Sequence, residues 1–386
     1  MTGFLPYGRQ TIEDDDIAAV TAALRDDFLT TGPKVEEFEQ AFAAKVGADH
    51  AVVCANGTAA LHLSMLALKV GPGDVAIVPS ATFLATANCA RFVGADVVFA
   101  DVDPASGLMT RETLEAAVHR ARGRRIAAVL PVHLRGDVAE LPALRAIADS
   151  VGAALVEDSC HALGSAADFG AGVERVGSGR HGAMAVFSFH PVKTIATAEG
   201  GMITTNDPDL AARARRLRGH GMERPADAAP WVYEMAEVGF NYRLPDVLCA
   251  LGLSQLAKLD RFVARRQALT ACYAAALAPL APIVRLAASP AWSNPALHLM
   301  TVLIDFAAAG RSRADVVAAL KAQGIGTQVH YIPIHTQPYY RALNPDLALP
   351  GAEAWYAQAL SLPLYPGMAD EDPGRVVDAL RRTLTS

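Results

Sequence analysis

Apolar residues in the first part of the chain come in two alternating patterns. Short unbroken runs, AVVC after His50, VAIVP from Val75, DVVFADVD ending at residue 103, AAVLPVH over 127–133 and AALVE before Asp158, are rich in β-branched residues and fit buried strands. Between them lie stretches with apolar residues at helical spacing, such as LPALRAIADSVG. That alternation predicts an α/β fold with a parallel sheet covered by helices. Ahead of it, residues 12–26 begin with acids and continue at helical spacing, and Pro33 opens a second helix through Val35, Phe38 and Phe42. The longest helical pattern runs from Pro245 to Leu277 and predicts a connection between a large unit, 1–245, and a smaller one, 281–386, with 246–280 as the link. The smaller unit is expected to hold strands at LHLMTVLIDF and near TQVHY, a helix across DVVAALKAQG and a closing helix DPGRVVDALRRTL.

Composition narrows the class. The formal charge of −6 lacks the basic footprint of a nucleic-acid binder, so none is expected as a partner. Five cysteines, an odd number without a repeating spacing, read as reduced thiols, which points to a cytoplasmic protein. The start, MTGFLPYGRQTIEDDD, shows no signal-peptide pattern, and no long uncharged apolar run predicts a membrane span.

Chemistry concentrates around Lys193, which lies between the apolar runs Ala183–Phe187 and Met202–Thr204, with Glu199, Gly200 and Gly201 as a hinge. Alone it reads as a solvated loop cation, and Asp158 alone as a helix cap or surface acid. In an open α/β sheet, however, ligands gather beyond the carboxyl ends of the strands, where these two groups can converge. Together they fit pyridoxal 5′-phosphate, with Lys193 as the Schiff-base lysine and Asp158 beside the ring nitrogen. The turn ANGTAAL opens a helix at Gly57 and Thr58, either an ordinary N-cap or a phosphate seat. Phe83 is either core or a ring-stacking aromatic, and Ser188, five residues before Lys193, could donate to a phosphate. His161 could hydrogen-bond the cofactor's phenolic oxygen or be structural. GSGRHG, Gly177–Gly182, matches a dinucleotide fingerprint formally but lacks the strand before and helix after it. The arginines of PDLAARARRLRGHGM read as a solvated helix face. His330, Tyr331 and His335 match no helical zinc spacing, so no metal is expected.

The segments VEDSCHALGS and VFSFHPVKTIATAEGGMITTND resemble the DegT-type sugar-nucleotide aminotransferases, a family of fold-type I pyridoxal-phosphate enzymes. The likeness continues in order through PYGRQ, LTTGP, GDVAIVPSATFLATANC, RGHGM, GFNYRLPDVLCALGLSQL, QVHYIPIHTQPYY and LSLPLYPGM. It implies a large cofactor-binding domain with a mostly parallel sheet and a smaller C-terminal α+β domain. It also implies catalytic roles for Lys193 and Asp158, and cofactor contacts from Gly57, Thr58, Phe83, His161 and Ser188. A homodimer with shared active sites follows by resemblance, Asn241, with Arg243, reaching the partner subunit's cofactor phosphate. Tyr7, Thr30, Thr31, Asn56, Gln328, His330 and Tyr331 are implied on the substrate side. His161, often glutamine in the family, brings the chain nearest to the pseudaminic acid transaminases, which make UDP-4-amino-4,6-dideoxy-N-acetyl-β-L-altrosamine. The expected reaction moves an amino group from L-glutamate to the C4 ketone of a UDP-linked 4-keto-6-deoxy-N-acetylhexosamine. A keto sugar of the bacillosamine or perosamine type, or a ligand-sensing relative without catalysis, are the alternatives.

Overall fold

The sheet at the centre of the protein has seven strands, His50–Cys54 (β1), Asp74–Pro79 (β2), Asp96–Ala100 (β3), Arg125–Val129 (β4), Ala154–Asp158 (β5), Met184–Ser188 (β6) and Gly201–Thr205 (β7), ordered β1-β7-β6-β5-β4-β2-β3. The computed structural model describes residues 3–225 and 227–385. Strands β2 to β6 pair in parallel, and only β7 runs against its neighbours β6 and β1. The reason is local: a loop rather than a crossover helix joins β6 to β7, so the chain must return antiparallel. One consequence is that β1, β2, β4, β5 and β6 all end at the same edge of the sheet. The other is that the loop carrying Lys193 hangs over that edge.

Both sheet faces are covered, as the unbroken apolar runs require; every residue of β2 is buried. On one face the helix Gly57–Ala67 (α3) packs Leu61 and Met65 against Val78 and Val186. On the other, Phe38 and Phe42 of the helix Pro33–Val46 (α2) meet Val53 and Phe187. The first helix, Asp14–Ala23 (α1), is shorter than the apolar pattern, because Glu13 and Asp16 close a capping box that sets its start. The helix Leu84–Phe92 (α4) begins at Phe83.

Three expectations change. The long pattern from Pro245 divides at Lys258 into Asp246–Ala257 and Leu259–Leu277. Lys258 turns inward at the break, with Nζ 2.5 Å from Asp15 and 2.7 Å from Asp16, and ties α1 to the connection. The arginine face of the helix Pro208–Arg218 is partnered rather than merely solvated: Arg213 and Arg216 hold Glu237, while Arg215 and Arg218 hold Glu39. TQVHY forms no strand. Gln328 alone pairs with Ser361, after which the chain turns so that His330 Nδ1 meets Ser361 Oγ at 2.8 Å.

The C-terminal unit holds a small antiparallel sheet of Val284–Leu286, Met300–Ile304 and Ala359–Leu362, covered by the helices Arg313–Ala322 and Asp372–Thr385. The chain's beginning joins it. Leu5 donates to Gly324 and accepts from Gly326, and its side chain is buried with Val302, Ile325 and Leu380. Among the described residues the cysteines are free, and no helix is long and apolar enough to cross a membrane.

Candidate active site

The shared strand edge opens into a cavity of about 680 Å³. Lys193 lies on its wall, half-buried, on a loop closed by Phe189 N–H to Gly200 O at 2.8 Å and Thr197 N–H to Phe189 O at 2.9 Å. Gly201 ends that loop directly against the start of α3; a Cβ there would lie 2.4 Å from Asn56. Burial lowers the Lys193 ammonium pKa, an effect that Cys160 and Asp158 partly oppose. A lysine so placed holds its amine neutral more readily than one in water.

Asp158, the last residue of β5, is 5 % exposed and forms the cavity floor. Its Oδ2 accepts from Thr86 Oγ1 at 2.7 Å and its Oδ1 from the Cys160 N–H at 3.2 Å. Thr86 lies in turn 3.0 Å from Thr82 Oγ1. Because the one Thr86 hydroxyl proton goes to the carboxylate, Thr82 is the donor in that contact. Neither threonine stands out in the sequence; the only signal is their separation by one helical turn at the start of a helix.

At the mouth of β1, Asn56 caps α3 by accepting from the Ala59 N–H at 2.8 Å. Gly57 and Thr58 begin the helix and line the cavity opposite Ser188. A Cβ at Gly57 would come within 3.0 Å of Ser188 Cβ and 3.2 Å of Cys160 Sγ, so a side chain there would press on both. Phe83 is exposed at the cavity rim, its ring centroid 5.8 Å from that of Tyr331.

The far wall comes from the C-terminal unit and the segment bound to it. Tyr7, Gln328, His330 and Tyr331 line it. Tyr7 is fixed by accepting from the Leu364 N–H at 3.0 Å. His161 and His298 complete the wall, their rings edge to face at 4.3 Å. Burial, followed by the charge of Lys193, lowers the pKa of both. His298 is a further residue the sequence reading missed; a polar side chain in the apolar run ALHLM was its only signal.

Thr30, Thr31 and Asn241 do not line this cavity. Thr31 shares a separate cleft of about 490 Å³ with Arg243, and Asn241 is exposed. A third constellation is inert: His335 contacts Ser80 Oγ at 2.7 Å and Glu353 at 3.2 Å, but Ser80 is wholly buried and presents no nucleophile to substrate.

The model of the DegT/DnrJ/EryC1/StrS aminotransferase family matches residues 10–381. The chain belongs to this family. Among solved structures, Helicobacter pylori PseC, an aminotransferase involved in the biosynthesis of pseudoaminic acid, is 27 % identical, with 99 % of each chain covered and a TM-score of 0.90. DesI, solved in the presence of its TDP-sugar product, is 34 % identical over 100 % of this chain and 94 % of its own, with a TM-score of 0.88. The putative sugar aminotransferase Spr1654 from Streptococcus pneumoniae, in its PMP form, is 26 % identical, with 98 % and 99 % covered and a TM-score of 0.90; a PLP form of it is also solved.

This aminotransferase has the fold-type I architecture and uses pyridoxal 5′-phosphate. The cavity fits that group. It offers an amine at Lys193, a carboxylate at Asp158, and a helix start at Gly57 and Thr58 facing the Ser188 hydroxyl, where backbone N–H groups and the helix dipole favour a phosphate.

Proposed function

We propose that this chain transfers the amino group of L-glutamate to the C4 ketone of a UDP-linked 4-keto-6-deoxy-N-acetylhexosamine, as a homodimer with shared active sites. The observation that carries the reading is the continuity of one cavity from the Lys193–Asp158 floor to the wall of Tyr7, Gln328, His330 and Tyr331, which leaves room for a sugar nucleotide beside the cofactor. The likeness to PseC supports a pseudoaminic acid type of pathway, and DesI supports a nucleotide-linked sugar.

The bound cofactor supplies an electron sink for the carbon next to nitrogen. The protein's own groups do the rest. Lys193 Nζ, its pKa lowered, takes the proton from Cα of glutamate in one half of the reaction and delivers a proton to C4 of the sugar in the other. Asp158, held by Thr86 and the Cys160 N–H, keeps a proton on the ring nitrogen. Gly57, Thr58 and Ser188 bind the phosphate. Phe83 and Tyr331 cover the reacting atoms against water.

Shared sites are supported by what lies outside the cavity. Asn241 and Arg243 follow the hairpin of Met222–Glu223 and Glu234–Met235, on which Trp231, Tyr233 and Met235 are exposed, as is Val238 just beyond it, an apolar surface suited to a second copy of the chain. In the dimer Asn241 and Arg243 reach the partner subunit's phosphate seat, and Thr30 and Thr31 meet its substrate.

Absorbance of the cofactor-loaded protein tests the reading. L-Glutamate is expected to abolish the visible band, and a UDP-linked 4-keto sugar to restore it. A band that glutamate leaves unchanged rules out the donor. Restoration by a TDP-linked but not a UDP-linked keto sugar replaces the nucleotide.

A further inference from the structure

Among the described residues that line the cavity there is no arginine and one lysine, Lys193, set against the carboxylates of Asp158 and Glu199. An amino-acid donor brings a further carboxylate into this space, where burial demands a strong partner for it. Of the lining side chains, only the histidines can turn positive near neutral pH. His298 is the buried one whose ring makes no hydrogen bond. It is 2 % exposed, its Nδ1 is sealed off without a partner, and its Nε2 has none among the described residues. Because Nδ1 is sealed and the residue lines the cavity, Nε2 is the nitrogen left to meet a ligand.

Behind His298 lies a second cation without an anion. Arg266 is 1 % exposed and donates to Leu364 O at 2.8 Å and to the carbonyl of His298 itself at 3.4 Å. Its Nε is buried and unpartnered, and among the described residues no carboxylate pairs with it. The nearby Arg135, by contrast, is neutralised by Asp137. An unbalanced buried guanidinium leaves a positive potential on this wall, which favours an anion in front of it. In the empty site the wall is neutral. Burial first, then the charges of Lys193, Arg266 and His330, hold His298 well below its ordinary pKa, against a weaker pull from the Arg135 carbonyl. His161, packed edge to face against it, is lowered by burial and Lys193 and adds no charge.

We propose that His298, with Arg266 behind it, seats the α-carboxylate of the donor amino acid. As the carboxylate arrives, Nε2 takes a proton from solvent and the two form a charge-assisted hydrogen bond. The seat suits this anion better than the others of the reaction. The α-carboxylate is bonded directly to the carbon that reacts at Lys193, and Lys193 is the charge that acts most strongly on His298. The sugar's diphosphate lies several bonds from C4, and the cofactor's phosphate has its place at Gly57, Thr58 and Ser188. Arg266 keeps the ring unprotonated until the anion comes, so an uncharged sugar ring meets an uncharged wall in the other half of the reaction. This deepens the proposed aminotransferase reading and rests on it for the donor.

Glutarate, which has both carboxylates of glutamate but no amine to react, is the probe. Calorimetry of the full-length, cofactor-loaded protein near neutral pH, in buffers of different ionisation enthalpy, reads affinity and proton uptake together. Wild type is expected to take up about one proton on binding. His298→Gln should bind about tenfold or more weakly and lose the uptake, and His298→Phe, close in shape, should do the same. Amination of the keto sugar by His298→Gln loaded with the PMP form of the cofactor should be unchanged. Arg266→Gln keeps an N–H for the two carbonyls without the charge; its His298 protonates more readily beforehand, so its uptake should be smaller. No binding to wild type, or equal affinity and uptake in wild type and the His298 variants, overturns the seat. So does an equal loss in both half-reactions, which a merely structural histidine would produce. Glutarate bound through His298 by a protein whose visible band glutamate leaves unchanged upholds the seat and removes glutamate as the donor.

Discussion

Thr86 Oγ1 donates to Asp158 Oδ2 across 2.7 Å, joining the first turn of α4 to the end of β5. With Thr82 donating to Thr86, a two-hydroxyl chain orients the carboxylate from beneath the cavity. A carboxylate that must face a ring nitrogen at one angle gains more from this fixed donor than from water, which would let it rotate. Thr86→Val, nearly isosteric but without the hydroxyl, is predicted to fold normally and to weaken cofactor binding roughly tenfold or more, the range for a hydrogen bond to a charged group. Thr86→Ser restores the donor and most of the affinity. Reconstitution of cofactor-free protein with pyridoxal 5′-phosphate measures both; equal affinities for the valine variant and wild type would show that Asp158 needs no such support.

Lys193→Ala is predicted to leave the fold intact, since among the described residues its side chain makes no hydrogen bond or ion pair, while turnover disappears with the one lysine that lines the cavity among them. The cofactor should remain bound through its phosphate but wash out on desalting. Asp158→Asn should keep the fold and lose most of kcat, because an amide cannot hold a proton on the ring nitrogen. Single-turnover assays with glutamate check each variant, and a normal rate in either contradicts its role.

The proposed sharing of active sites between subunits makes a sharper prediction about mixtures. Lys193→Ala chains lack the amine but keep Asn241; Asn241→Ala chains keep the amine but fail to support a partner's phosphate seat. A mixed dimer then contains one site with both defects and one with neither. Co-refolded or subunit-exchanged mixtures of the two variants should therefore show more activity than either alone. Activity no higher than the mean of the two parents would place Asn241 in its own subunit's site or outside the reaction.

The strand pattern made the α/β sheet readable because parallel strands buried on both faces leave unbroken apolar runs. Asp158 and Lys193 were legible as candidates because each follows such a run, and the fold brings both to one cavity. Thr86 and His298 were missed for the opposite reason: each sits inside an apolar stretch, and its significance depends on a neighbour far along the chain, Asp158 for one and His161 for the other. The arginines of Pro208–Arg218 looked solvated because their partners, Glu39 and Glu237, lie outside any helical spacing from them. TQVHY had strand-like residues, but the hydrogen bonding of His330 to Ser361 and the packing of Tyr331 at the cavity overrode that propensity.

The histidines of the far wall predict how the protein responds to acid. His330 is lowered from an ordinary 6.5 to about 3 by burial and then by Lys193, and His161 and His298 are lowered well below 6.5 by the same two causes in that order. All three are neutral in the folded protein at neutral pH, while the unfolded chain protonates them below about 6.5. In that window the unfolded state binds more protons, so stability is fully present above pH 6.5 and declines as pH falls, for His330 down to about 3. The denaturant midpoint should drop steadily over this range. His330→Gln removes one titrating group and should flatten the decline by one proton's slope. Lys193→Ala should flatten it further, because the ammonium charge contributes to the depression at each ring. A decline of equal steepness in wild type and Lys193→Ala would show that burial alone keeps the three imidazoles neutral, leaving the lysine's charge without influence on the wall it faces.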